Sequence, residues 1–143
     1  MNTAPRVADT VSHLIHVADY RFNRENSRVL ERYGVTMYQA MSLIYVADHE
    51  KHRTVNQRAL ERYTQLSNPG VTKLVTGLEK LGLLERAHDP EDARSYALHT
   101  TAKGRDLCET LRQAILESDR ALTEKLSGDE AEQLCALLKK MCS

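Results

Sequence analysis

Residues 67–81, SNPGVTKLVTGLEKL, leave this chain less freedom than any other stretch. Val71, Leu74, Val75, Leu78 and Leu81 recur at helical spacing and make one apolar stripe. Asn68, Gly70, Lys73, Thr76, Gly77 and Lys80 share the opposite side, which is small, hydrogen-bonding and basic, with Glu79 at its edge. Ser67 and Asn68 are N-cap residue types, and Pro69 suits the first helical position, where no N–H is needed. The spacing predicts an amphipathic helix with a core face and a donor-rich outer face.

The flanks narrow the architecture. Thr54 is expected to cap a helix over residues 55–63 that buries Val55, Ala59, Leu60 and Tyr63, and residues 64–67 (TQLS) have the length of a helix-turn-helix turn. Gly82 ends the central helix as a C′ residue. Residues 83–86 read as a strand, residues 88–93 as a turn-rich acidic tip, and residues 94–99 as the returning strand.

Upstream, residues 6–31 follow helical spacing without a Gly or Pro until Tyr33-Gly34. Thr36 then caps a helix to about residue 48, with Met37, Ala40, Met41, Ile44 and Ala47 inward, and residues 49–53 (HEKHR) form a charged loop. Downstream, Thr101 caps a helix from residue 102 to about residue 125, with Leu107, Leu111, Ala114, Ile115, Ser118, Leu122 and Leu126 on one face. Residues 127–129 break it, and a last helix buries Ala131, Leu134, Cys135, Leu138 and Met141. The fold class expected is mainly α with a small β-wing: a winged helix-turn-helix over residues 36–101, flanked by dimerisation helices in residues 1–35 and 102–143. Terminal helices that long carry more apolar face than a small domain covers, which asks for a partner chain.

Composition sets limits on this reading. A chain of 143 residues, 41% hydrophobic and 28% charged, suits one domain or one small domain with extensions. No apolar run approaches the roughly 18 residues of a membrane span, and the first ten residues lack a signal-peptide core, so no membrane partner and a cytoplasmic location are expected. Zero net charge argues against a wholly DNA-coating surface. Residues 54–105, however, carry 8 basic and 6 acidic groups, against 5 and 8 in residues 106–143. Affinity for DNA depends on local phosphate contacts, so this balance is permissive.

Three cysteines without a C-x-x-C indicate neither a disulfide framework nor a zinc ribbon. Cys108 and Cys135 sit beside leucines and are expected to be buried, with Cys142 exposed. His13 and His16, like His49 and His52, have i, i+3 spacing, but no Cys/His/Asp/Glu set completes a tetrahedral site, so no metal is expected. Neither a nucleophile elbow, a Walker loop, an H-E-x-x-H helix nor a dinucleotide loop is present, so an enzyme and a cofactor are not expected.

Residues 70–104 carry a more specific signal: Leu78-Glu79, Gly82-Leu83 and Arg86, then Asp92 and Arg94, then Thr101 and Gly104, in order. In these motifs the chain resembles the MarR (multiple antibiotic resistance regulator) family, essentially over its whole length. Two positions depart from the family pattern: Ala93 removes the middle cation of an Asp-Arg-Arg wing, and Thr100 stands where Leu usually precedes the capping Thr.

The resemblance implies a homodimer joined by its terminal helices that reads a palindromic operator in double-stranded DNA, often as a repressor released by a small molecule. It implies that Asn68, Gly70, Thr72, Lys73 and Thr76 meet bases or phosphates from the central helix, whose start at Ser67 favours a phosphate. Arg94 is the wing residue expected on DNA, with Asp92 holding it by ion pairing. Arg86 either supports the wing or touches phosphate, and Thr54, Asn56 and Gln57 either cap their helix or position it on the backbone. His16, Tyr20, Arg21, Tyr38 and Tyr45 are candidates for a pocket taking a small aromatic or phenolic effector. The first-helix cysteine of peroxide-sensing relatives is absent. The alternative reading is a winged helix that binds another protein. The outer face of residues 68–80, which has no large apolar residue, favours DNA.

Overall fold

The computed structural model describes residues 4–143, so the first three residues of the expected N-terminal segment lie outside the described residues. The described residues form two compact units, one made of residues through Asn26 together with Ile115–Ser143, the other of Ser27–Ala114. In chain order the helices are α1 (Val11–Glu31), α2 (Met37–His49), α3 (Gln57–Thr64), α4 (Asn68–Lys80), α5 (Ala102–Leu122) and α6 (Gly128–Cys142). Strands β1 (Leu84–His88) and β2 (Tyr96–Thr100) lie between α4 and α5 and pair antiparallel, Leu84 opposite Thr100 and His88 opposite Tyr96.

Within residues 27–114 the caps explain where the helices begin. Thr36 opens α2 with a reciprocal capping box: its Oγ1 accepts from the Gln39 N–H at 3.2 Å while its own N–H donates to Gln39 Oε1 at 3.0 Å. The buried side of α2 is Ala40, Ser42, Leu43 and Val46. Of the five residues expected inward, Met37, Met41, Ile44 and Ala47 are only half-buried. Apolar residues on several sides of this helix let more than one stripe satisfy its period.

The start of α3 also departs from expectation. Its cap is Asn56, whose side chain accepts from the Ala59 N–H at 3.0 Å, and not Thr54. Val55 is buried as extended chain: its carbonyl accepts from Leu98 N–H at 2.7 Å, and Asn56 bridges Ala97 antiparallel. Residues 54–56 thus lie against β2 before α3 starts. Ala59 is half-buried, and Tyr63 is 41% exposed, stacked on Tyr45 at 4.4 Å.

Gln65 adopts the left-handed conformation (φ 61°), and Ser67 caps α4 by accepting from the Gly70 N–H at 3.3 Å. Val71, Leu74, Val75 and Leu78 are buried, each contributing about 1.5–3 kcal/mol by leaving water. Gly82 (φ 72°) closes the helix, with its N–H on Glu79 O and the Leu83 N–H on Leu78 O. That closure holds Leu83 in the cap, so β1 begins at Leu84. β2 begins at Tyr96, two residues after the expected start, because hydrogen bonds from Asp89 to Ser95 and from Ser95 to Asp92 keep residues 89–95 in the loop.

Thr101 joins the end of α4 to α5: its Oγ1 donates to Gly82 O at 2.6 Å and accepts from the Gly104 N–H at 3.0 Å. Thr100 also has a specific use. Glu50 accepts its N–H at 2.9 Å and its hydroxyl at 2.7 Å, clasping the end of α2 to the end of β2. A leucine there would keep the backbone bond and remove the hydroxyl donor from that carboxylate. Cys108 is buried as expected, and burial pushes its thiol pKa up.

In the other unit, the expected helix from residue 6 is interrupted. Residues Val7–Asp9 form a 3₁₀ turn, and Thr10 is extended, its Oγ1 donating to Val7 O at 2.7 Å and accepting from the His13 N–H at 3.3 Å, before α1 starts. Ser127 and Glu130 form a second capping box at α6, and the backbone N–H of Ser127 holds the Glu130 carboxyl below its usual range. The residues expected to be buried by α6 are not buried in the chain alone: Leu134, Cys135, Leu138 and Met141 are exposed and Ala131 is half-buried. Leu122 and Leu126 are likewise exposed. Val11, Leu14, Phe22, Leu134 and Leu138 instead help line an open apolar groove of about 940 Å³. Among the described residues, no helix is long and apolar enough to cross a membrane.

Candidate nucleic-acid interface

Helix α4 buries its valines and leucines and turns Asn68, Thr72, Lys73 and Thr76 away from the core. Three of these are held by a neighbouring element. Asn68 Nδ2 donates to Glu61 Oε1 of α3 at 2.8 Å. Thr72 Oγ1 accepts from Gln57 Nε2 at 3.2 Å. Thr76 Oγ1 accepts from an Arg86 terminal nitrogen of β1 at 2.7 Å. The three sit at i, i+4 and i+8, one seam along the helix. A hydroxyl that has accepted one bond keeps its own hydrogen to donate, so Thr72 and Thr76 still offer donors outward.

Arg86 ties the helix to the wing. Its Nε donates to Glu79 Oε1 at 2.5 Å, and its guanidinium lies 5.6 Å from the Tyr96 ring centroid. Of the two roles left open by sequence, this geometry is wing support. The Asp92–Arg94 ion pair expected from sequence is not formed among the described residues. Asp92 instead accepts the Arg94 backbone N–H at 2.9 Å, a turn bond that shapes the tip. The Arg94 side chain is therefore exposed and outside any ion pair among the described residues, and so is Lys73.

Between α3, α4 and the wing lies a cleft of about 300 Å³ lined by Arg58, Glu61, Asn68, Thr72, Arg86 and Arg94, among others. Gln57 also lines it but is buried, with its amide donating to Thr72. Asn56 and Ser67 act as caps, Gly70 lies in the first turn of α4 with its N–H on the Ser67 cap, and Thr54 is exposed ahead of α3. Arg58, Glu61 and Tyr96 were not singled out from sequence. The signal was available for α3, since Arg58, Glu61, Arg62 and Gln65 recur at i, i+3, i+4 and i+7 opposite Leu60.

The residues offered for an effector pocket fall in both units. His16, Tyr20 and Arg21 are exposed on α1. Tyr38 borders a groove of about 490 Å³ beside α4 that also includes Gln39, Lys73 and Lys80. Tyr45 stacks on His49 (4.1 Å) and Tyr63, and its hydroxyl accepts from Arg53 at 3.1 Å. His49 Nδ1–H donates to Tyr45 O at 2.8 Å. Among the described residues, no group of three or more His, Cys, Asp or Glu is placed to hold a metal ion.

A family model described as the MarR family matches residues 33–95. The HTH-type transcriptional regulator YkoM of Bacillus subtilis is 33% identical over 109 residues, which cover 76% of this chain and 67% of that protein. A transcriptional regulatory protein for the hcr operon of Thauera aromatica is 32% identical over 87 residues, and the match spans 61% of this chain but about half, 52%, of that relative's length. Among solved structures, the Staphylococcus aureus MepR–DNA complex superposes with a TM-score of 0.83 at 28% identity, covering 93% of this chain and 96% of that one.

Proposed function

The chain belongs to the MarR family of winged helix-turn-helix transcriptional regulators, which are non-enzymatic DNA-binding proteins, and from that premise we propose a homodimeric, cytoplasmic repressor of a palindromic operator. The observation that carries the reading is the outer surface of α4 and the wing. Lys73 and Arg94 stand there without ion-pair partners among the described residues, Arg94 on the cleft edged by Arg58 and Arg86 and Lys73 on the groove that Tyr38 borders. Such a surface supplies cations to phosphates and donors to acceptor-rich base edges, which is what groove reading requires.

Each region has a part in this reading. Residues 36–101 read DNA: α4 enters the major groove, Lys73 reaches a guanine edge or phosphate, and Arg94 extends the wing to the minor groove or backbone. Residues 1–35 and 102–143 dimerise, and the open apolar groove between α1 and α6 supports this, since an exposed apolar surface of that size favours a partner. Two copies related by a twofold axis then present two α4 helices to half-sites about 34 Å apart. A small aromatic or phenolic effector releases the operator by favouring a dimer whose two heads no longer match that spacing.

Binding of the purified protein to its own upstream DNA, in excess random competitor and across a salt series, tests the reading. Saturable, selective binding is expected, and it weakens when Lys73 is replaced by Ala. Binding confined to low salt and indifferent to sequence would favour a protein-interaction module instead.

A further inference from the structure

Resting on the DNA-binding reading above, we infer that Glu61 is a positioning residue that orients the Asn68 carboxamide to read an adenine in each half-site. Asn68 is the first residue of α4, and N-terminal residues of a recognition helix are those that meet base edges. Its Nδ2 donates to Glu61 Oε1 at 2.8 Å, across the turn between α3 and α4. A carboxylate only accepts, so the bond decides which end of the amide faces α3: nitrogen toward Glu61, oxygen away. An asparagine recognises adenine through both ends at once, its oxygen accepting from N6 and one amide hydrogen donating to N7. The amide nitrogen has two hydrogens, and Glu61 takes one of them. The other hydrogen and Oδ1 remain as the adenine-reading pair, already fixed against a flip that would exchange donor for acceptor.

The charge environment supports this role. Glu61 is the carboxylate among the described residues lining a cleft that also holds Arg58, Arg86 and Arg94. It forms no ion pair with any of them among the described residues, and its carboxylate accepts from Asn68 instead. A carboxylate facing a polyanion weakens binding to every sequence alike. Orienting Asn68 gives it a use in selectivity.

Selection of binding sites from a pool of randomised duplexes tests the assignment, using wild type, Asn68→Ala, Glu61→Ala and Glu61→Gln. Wild type and Glu61→Gln, whose amide oxygen still accepts, are expected to prefer adenine at one position per half-site by about tenfold. Asn68→Ala and Glu61→Ala lose that preference and keep the others. Glu61→Gln also binds all sequences more tightly, because the negative charge is gone. Retention of the adenine preference by Glu61→Ala would overturn the inference while leaving the DNA-binding reading intact. A wild type that selects no sequence would overturn both.

Discussion

Arg86 and Arg94 lie on the same wing and do different work. Arg86 spends its planar fork on Glu79 and Thr76 and lies against Tyr96, so it fixes where the wing stands relative to α4. Replacing it by Ala should cost about 2 kcal/mol of stability, read as a lower urea midpoint, and weaken binding to all DNA sequences together. Lys should not restore it, because a point charge cannot meet both oxygens in that geometry. Arg94 has no such partner among the described residues. Arg94→Ala should leave the urea midpoint unchanged and lower the slope of log affinity against log salt by about one. Sequence separated these two only in part. The Arg86 partners lie on the far side of the Gly82 turn, so its choice between support and contact depended on tertiary geometry. For Asp92, a one-dimensional reading found a charge near a charge and missed that its oxygen is taken by the Arg94 backbone.

At the scale of elements, local chemistry was legible and long-range hydrogen bonding was not. Ser67, Thr36, Gly82 and Thr101 mark helix ends through bonds within a few residues, and the order of helices and strands follows from them. The start of α3 was misplaced because the bond that keeps residues 54–56 extended comes from Leu98. Two glycines give a contrasting test of how the elements fit. A Cβ at Gly104 would lie 2.1 Å from the backbone oxygen of Leu83, which the α4 closure holds in place, so Gly104→Ala should destabilise by about 1–3 kcal/mol. A Cβ at Gly77 would meet the Gln39 carboxamide at 2.7 Å, so the shift strains its capping bond to the Thr36 N–H, and better helix propensity offsets part of that cost. Gly77→Ala should stay within about 1 kcal/mol of wild type in the same urea titration. The link from α2 to α5 is pH-sensitive. Arg112 donates to both oxygens of Asp48 at 2.8 and 3.3 Å and holds that carboxyl below its ordinary value of 3.8. A depressed folded pKa stabilises the fold above the unfolded value, and that contribution is lost as pH falls below about 3.8 through the folded value. The stability gap between wild type and Asp48→Asn should therefore be constant near neutrality and close on acidification below that range.

For the whole molecule, the terminal helices explain why part of the sequence reading was misplaced. The periodicity of α6 correctly marked an apolar face, but Leu134, Leu138 and Met141 are open in the single chain. A hydrophobic stripe specifies that something covers it and not which chain does. If a second copy does so, sedimentation of wild type should give a dimer at micromolar concentration, and Leu137→Glu with Met141→Glu should give a folded monomer that loses operator affinity. A hydroxyl-radical footprint of the protein on the operator it selects tests twofold groove reading most directly. Two protected patches are expected on one face of the duplex, centred about one helical turn or 34 Å apart, with Lys73→Ala weakening both equally. A single protected patch, or uniform protection without register, would contradict it.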